Sequence, residues 1–175
     1  MKKNIIKNIT NKTLGILGGG QLGKMIAQEA ARLGIKTCVY DPNKKSPAFQ
    51  NANIVINDLY TNKKSLKKLI KNTDKITYEF ENIPLQSLYF LKKNKQIYSG
   101  LKVLRYSQDR LLEKKFISNL GISVAPFYKI DNFTDINIAL KKLNGSAILK
   151  TRKLGYDGKG QYLIKNNKIS NIEAK

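Results

Sequence analysis

The chain has 175 residues, 41% of them hydrophobic, and carries 33 Lys+Arg against 12 Asp+Glu, a net charge of +21. That length supports one well-buried domain, or one domain and part of another, and no apolar run approaches the roughly eighteen residues of a membrane-spanning helix. One cysteine, Cys38, and no histidine exclude a disulfide framework, a Cys-rich metal site and any mechanism that takes an imidazole base from this chain.

The lysines are spread among asparagine and isoleucine, as in KKNIIKNITNK and IKNNKISN. They read as solvated surface rather than a specific nucleic-acid face, and their expected side effect is weak, salt-dependent attraction of polyanions. The opening MKKNIIKNITNK lacks an apolar h-region and a small-residue cleavage site, so residues 1–12 read as a polar extension and the protein as cytoplasmic, with no membrane association.

Residues 14–17 form an apolar strand that runs into GGGQLGKM, where Gly18, Gly20 and Gly23 spell G-x-G-x-x-G. A helix follows over 21–33, with Leu22, Met25, Ile26, Ala30 and Leu33 on one face and Gly34 at its end. Glycines in such a turn serve two uses: a phosphate clamp, with Asp41 placed about 20 residues on as a ribose-binding acid, or close packing of the first helix on the sheet. Strands at 36–40 and 54–56, a basic helix at 63–71, the strand KITYEF, a helix at 85–94 and QIYSG continue the alternation. Strict alternation over about a hundred residues predicts an α/β fold, a Rossmann-like parallel sheet covered by helices on both faces.

From residue 101 the character changes, and a domain boundary is expected there. SQDRLLEKKFISNLGI reads as one helix with Leu111, Leu112, Lys115, Phe116 and Leu120 along one side and Gly121 as its stop. VAPFYKI reads as a strand, 133–143 as a helix, SAILKTR as a strand, KLGYDGKG as a glycine-rich turn and QYLIK as a further strand. A strand, a flexible Gly/Lys loop and a strand make a hairpin able to close over phosphates, a different device from a loop that feeds a helix.

Taken in order, GGGQLGKM, VYDP, YEFENIP, QDRLLEKKF and ILKTRKLGYDGKGQ resemble the amino-terminal half of the N5-carboxyaminoimidazole ribonucleotide synthases, of the ATP-grasp superfamily, over residues 13–165. The resemblance implies a Rossmann-like preATP-grasp domain at 13–100 and an incomplete ATP-grasp domain at 101–175. It implies ATP-dependent carboxylation of aminoimidazole ribonucleotide with bicarbonate in purine biosynthesis, and a family homodimer. The formate-dependent glycinamide ribonucleotide transformylase shares a similar turn and GKGQ; YEFENIP and GYD favour the carboxyaminoimidazole enzyme. Two readings from other classes are a nicotinamide-binding Rossmann protein and a basic nucleic-acid-binding protein.

Carried over by motif, the resemblance places Arg110, Lys150, Gly155, Gly158, Lys159, Gly160 and Gln161 at ATP. It places Tyr156 and Asp157 at the reacting groups, and Gly20, Gln21, Leu22 and Glu79 at the ribonucleotide. Glu79 also stands at the carboxyl end of a parallel strand, the usual ligand edge of such sheets. Glu81 and Asn82 fit the turn before Pro84, and Asp41 fits a cap on the loop after the second strand. The Mg2+ that phosphoryl transfer requires has no ligands in this sequence, and the resemblance puts them in a further half that would follow residue 175. An interrupted coding sequence, a fragment, or a separately encoded carboxyl-terminal half would each leave this chain inactive alone.

Overall fold

A computed structural model describes residues 11–155, 159–165 and 168–171. The chain divides into two compact units, Met1–Leu104 and Arg105–Lys175.

In the first unit, strands β1 (Thr13–Leu17), β2 (Lys36–Tyr40), β3 (Ile54–Ile56), β4 (Lys75–Tyr78) and β5 (Gln96–Ile97) form one parallel sheet in the order β3-β2-β1-β4-β5. Period-two alternation sends neighbouring residues of each strand to opposite faces. Leu17, Cys38, Tyr40 and Ile76 meet Leu66 and Leu69 of α2 (Lys63–Asn72), Leu88 and Leu91 of α3 (Leu85–Lys92), and Leu101 and Leu104 of α4 (Leu101–Ser107). Ile16 and Val39 meet Ala27 of α1 (Gln21–Arg32) and Ala48 of a 3-10 turn, Pro47–Asn51. The doubly covered parallel sheet expected from the alternation is present.

Helix α1 buries a different face from the one its large residues suggest. Gly23, Ala27 and Ala30 are buried, while Leu22, Met25 and Leu33 are more than half exposed. Close approach decides the face: a Cβ on Gly23 would stand 2.5 Å from the Gly18 carbonyl oxygen, so the helix lies on the sheet through its smallest residues. Gly34 ends it in the left-handed region, φ +72°.

In the second unit, the single helix expected over SQDRLLEKKFISNLGI begins after a break. Helix α4 stops at Ser107 and α5 runs over Arg110–Asn119. Between them Asp109 adopts extended backbone and caps α5, accepting from the N–H groups of Leu111 (3.0 Å) and Leu112 (3.2 Å); a side-chain oxygen that satisfies two orphan donors starts a helix anew. No residue of α5 is buried, so the apolar side expected there does not face a core. VAPFYKI forms no strand. Pro126 lacks the N–H a ladder needs, and Phe127 and Tyr128 instead carry the ammoniums of Lys114 and Lys142, each 5.5 Å from the ring centre. Helix α6 (Phe133–Lys142) opens with an Asn132–Asp135 capping box. An antiparallel sheet of β6 (Ser146–Lys150), β7 (Gln161–Lys165) and β8 (Lys168–Asn171) completes the unit.

Candidate functional site

The glycine turn sits where the order of the sheet reverses, between β1 and its neighbours β2 and β4, the place at which parallel sheets open a crevice at their carboxyl ends. Backbone bonds pin it from both sides: the Gly18 N–H donates to the Tyr40 carbonyl at 3.0 Å and the Glu79 N–H to the Leu17 carbonyl at 3.1 Å. Gly18 has φ +102°, and a Cβ there would press on the Glu79 side chain.

Two carboxylates take the next two amides. Gly19 N–H donates to Asp41 Oδ2 at 2.7 Å and Gly20 N–H to Glu79 Oε1 at 3.1 Å. Asp41 is buried; its other oxygen accepts from the Asn43 N–H at 2.7 Å, the loop cap expected of it, and the buried Tyr60 hydroxyl donates to Oδ2 at 3.0 Å. Burial holds the Glu79 carboxyl above its ordinary value. The Gly20 N–H works against this shift, and Asp41 and Glu81 add to it by like charge. The Tyr60 phenol is pushed up by burial first and then by Asp41.

The amides of Gly19 and Gly20, which a dinucleotide clamp would offer to a pyrophosphate, are thus engaged by the protein's own acids. Glu79 is half-buried and uses one oxygen on Gly20, so the site can present a carboxylate to a neutral or cationic donor such as a hydroxyl or an amine. Gln21 and Leu22 are exposed at the start of α1. Nothing in the spelling of YDP marks Asp41 as the partner of the glycine turn: the contact joins the end of one strand to the loop after another, and only the parallel register reveals it.

The second unit gathers a separate set of residues. Lys150 closes β6 opposite Gln161, and past that pair the Thr151 N–H donates to the Gly160 carbonyl at 2.9 Å. The guanidinium of Arg110 donates to the Thr151 carbonyl at 3.0 Å, and the Arg110 N–H to the Arg152 carbonyl at 3.0 Å. Arg152 in turn grips the buried Asp109 with two bonds, Nε to Oδ1 at 3.0 Å and an Nη to Oδ2 at 2.5 Å. The Arg152 guanidinium holds the Asp109 carboxyl below the usual carboxylate range.

Arg110 and Lys150 line a cavity of about 660 Å³ together with Lys114, Lys129 and Arg152, and the rest of its wall is largely apolar, including Leu140 and Leu149. An apolar chamber with a few cations is suited to a flat ring system attached to an anionic tail. Gly155 is buried, and a Cβ on it would stand 2.8 Å from the Lys159 carbonyl oxygen and 3.1 Å from the Arg110 guanidinium. Gly160 turns at φ +64°. Tyr156, Asp157 and Gly158 lie outside the described residues. Sequence reasoning misses the Asp109–Arg152 pair; the QDR and KTR strings hold it, yet only the hairpin brings them together.

Residues 11–108 match the ribonucleotide synthetase preATP-grasp domain family and residues 115–174 the ATP-grasp domain. The chain is 45% identical over 156 residues to an N5-carboxyaminoimidazole ribonucleotide synthase of Staphylococcus aureus (strain COL), covering 89% of this chain and 42% of that protein. To the synthase of Bacillus subtilis (strain 168) it is 42% identical over 165 residues, covering 94% and 43%. The crystal structure of N5-carboxyaminoimidazole synthetase from Staphylococcus aureus complexed with ADP superposes with a TM-score of 0.86 at 44% identity, over 90% of this chain and 42% of that one. The chain spans about two-fifths of the length of these relatives. With its parallel sheet, its glycine turn and its match over residues 11–108, the chain belongs to the ribonucleotide synthetase preATP-grasp domain family and continues into an ATP-grasp domain.

Proposed function

We propose that this chain supplies the ribonucleotide-facing and nucleotide-holding parts of an N5-carboxyaminoimidazole ribonucleotide synthase of the cytoplasm. In this reading residues 13–100 face aminoimidazole ribonucleotide, residues 101–175 begin the ATP-grasp domain, and the assembled enzyme is a homodimer. The observation that carries it is identity to synthases running through both units in the same order. The reaction transfers the terminal phosphoryl group of ATP to bicarbonate; the exocyclic amine of the ribonucleotide then attacks the carboxyl carbon of the resulting mixed anhydride, and phosphate leaves.

Each set of residues has a part in holding the reactants. Arg110 and Lys150 carry the positive charge for the nucleotide's phosphates, the guanidinium as a fork and the ammonium as a point charge, with Gly155, Lys159, Gly160 and Gln161 on the adjoining hairpin. Glu79 accepts a hydrogen bond from the ribonucleotide beside the turn of Gly20, Gln21 and Leu22. Tyr156, Asp157 and Gly158 are assigned by resemblance alone, the first two at the reacting groups and Gly158 in the hairpin over the phosphates. Among the described residues no group of three or more Asp, Glu, His or Cys could hold a metal ion, and in this reading the ligands of Mg2+ belong to the portion of the relatives that this chain does not span. Turnover then requires the remaining portion that the relatives possess, supplied on the same polypeptide or on another.

Calorimetric titration with ADP, at about 0.15 M salt where the Debye length is about 8 Å, tests the nucleotide site. Saturable binding is expected, with Arg110→Ala and Lys150→Ala each weakening it about ten- to a hundredfold, the loss of a charge-assisted hydrogen bond of roughly 1.5–3 kcal/mol. NAD stabilising the protein while ADP does not would overturn the reading in favour of a nicotinamide protein.

A further inference from the structure

We propose that Asp109 and Arg152 act as a positioning pair that sets Arg110 and the strand end at Lys150 for an anionic ligand, an inference that rests on the nucleotide reading above. Three connections join the same two short segments. Arg152 embraces Asp109 through Nε and an Nη, the Arg110 N–H reaches the Arg152 carbonyl, and the Arg110 guanidinium reaches the Thr151 carbonyl. Asp109 is 3% exposed and already caps α5, so its carboxylate is spoken for on both sides and has little freedom to move. The peptide that follows Lys150 is therefore fastened to the first turn of α5, and Arg110 is the residue at that junction.

The chemistry explains why an ion pair is used here. An arginine's planar fork fixes direction as well as distance, and among the described residues the Arg110 guanidinium donates to the Thr151 carbonyl, a fork with five donors in all whose orientation that bond sets. Positioned cations bind an anion better than mobile ones, since the ordering cost is met before the ligand arrives. Arg152 lines the same cavity as Arg110, whereas Asp109 is buried behind it, so the role played through Arg110 is read from Asp109 and its coupling to Arg110.

Asp109→Asn is the informative variant, because asparagine caps a helix about as well as aspartate but offers Arg152 no charge and only one acceptor oxygen. Calorimetry with ADP, at the same salt, is expected to show about tenfold weaker binding for Asp109→Asn and for Arg152→Gln. The penalty of Arg110→Ala is expected to shrink about three- to tenfold in the Asp109→Asn background, as coupled neighbours do. Asn132→Ala, which removes the cap of α6 far along the chain, serves as the stability control and should leave ADP affinity unchanged while lowering the melting temperature. Should Arg152→Gln fail to fold, the Asp109→Asn and Arg110→Ala cycle decides alone. Wild-type binding of ADP with unaltered affinity in Asp109→Asn, or with strictly additive penalties in the cycle, overturns the positioning role and leaves the nucleotide site standing. Equal weakening by Asn132→Ala reduces the effect to lost stability and overturns it as well. No saturable ADP binding by the wild type removes the nucleotide site and this role together.

Discussion

Glu79 is held in conflict. Burial and the neighbouring charges of Asp41 and Glu81 favour its neutral form, while one amide, Gly20, favours the charged form, and the balance raises its titration above the ordinary 4.5. A carboxyl whose folded value is raised makes its contribution to stability in full below the unfolded value, and that contribution is lost as pH rises through the folded one. A permanently neutral isostere escapes the loss. Glu79→Gln is therefore expected to match wild type in urea unfolding near pH 4 and to exceed it at pH 8, while binding aminoimidazole ribonucleotide more weakly by calorimetry. Greater stability coupled to poorer binding is what a residue kept for function rather than for folding should show. If the variant is less stable than wild type at pH 8, the Gly20 bond outweighs the burial and the repulsion, and Glu79 is part of the scaffold.

At the scale of elements, α1 shows how packing overrides the reading of side-chain size. Gly23, Ala27 and Ala30 make the interface, and Gly23 is the tightest point because the atom it approaches is backbone, the Gly18 carbonyl. Gly23→Ala should cost about 1–3 kcal/mol, the usual penalty of overpacking, whereas Met25→Gln on the exposed side should stay within about 0.5 kcal/mol; denaturant midpoints at a fixed m-value measure both. The reverse order would restore the large-residue face. Period and punctuation make most of the first unit legible in the sequence: short apolar runs mark the strands, Gly34 marks a helix end, and the residues before Pro84 mark the turn into α3. Less of the second unit is visible there. Asp109 restarts a helix inside an unbroken helical pattern, VAPFYKI has the apolar look of a strand but a proline and two lysine-capped rings in place of a ladder, and β8 hides in a lysine- and asparagine-rich tail. The site divides along the same line. Glu79 and Lys150 stand out as polar residues ending apolar strands, while the Asp41–Gly19 and Asp109–Arg152 contacts depend on register between segments distant in sequence.

For the molecule as a whole, the two units differ in how much apolar surface each buries. The first holds a core on each sheet face, with Ile16, Leu17, Leu69, Ile76, Leu88 and Leu91 fully buried. In the second, the buried apolar residues among those described are Ala139, Leu140 and Ile164, while Leu120, Ile122, Phe133 and Leu154 are each more than half exposed. Since stabilisation follows apolar area removed from water at about 25 cal/mol per Å², the second unit should be the weaker, and heating should give two transitions in place of one. Ligand linkage identifies them. A nucleotide held only by Arg110, Lys150 and the hairpin stabilises the unit that contains them by RT ln(1 + [L]/Kd), about 2.7 kcal/mol at a hundredfold excess over Kd, and leaves the other transition where it was. Calorimetric scans with and without ADP, at a salt concentration that screens the general attraction of a +21 chain for anions, should therefore move the lower transition upward alone. A single transition that shifts as a whole would mean that the units unfold as one cooperative body, and that the few buried side chains of the second do not measure its stability.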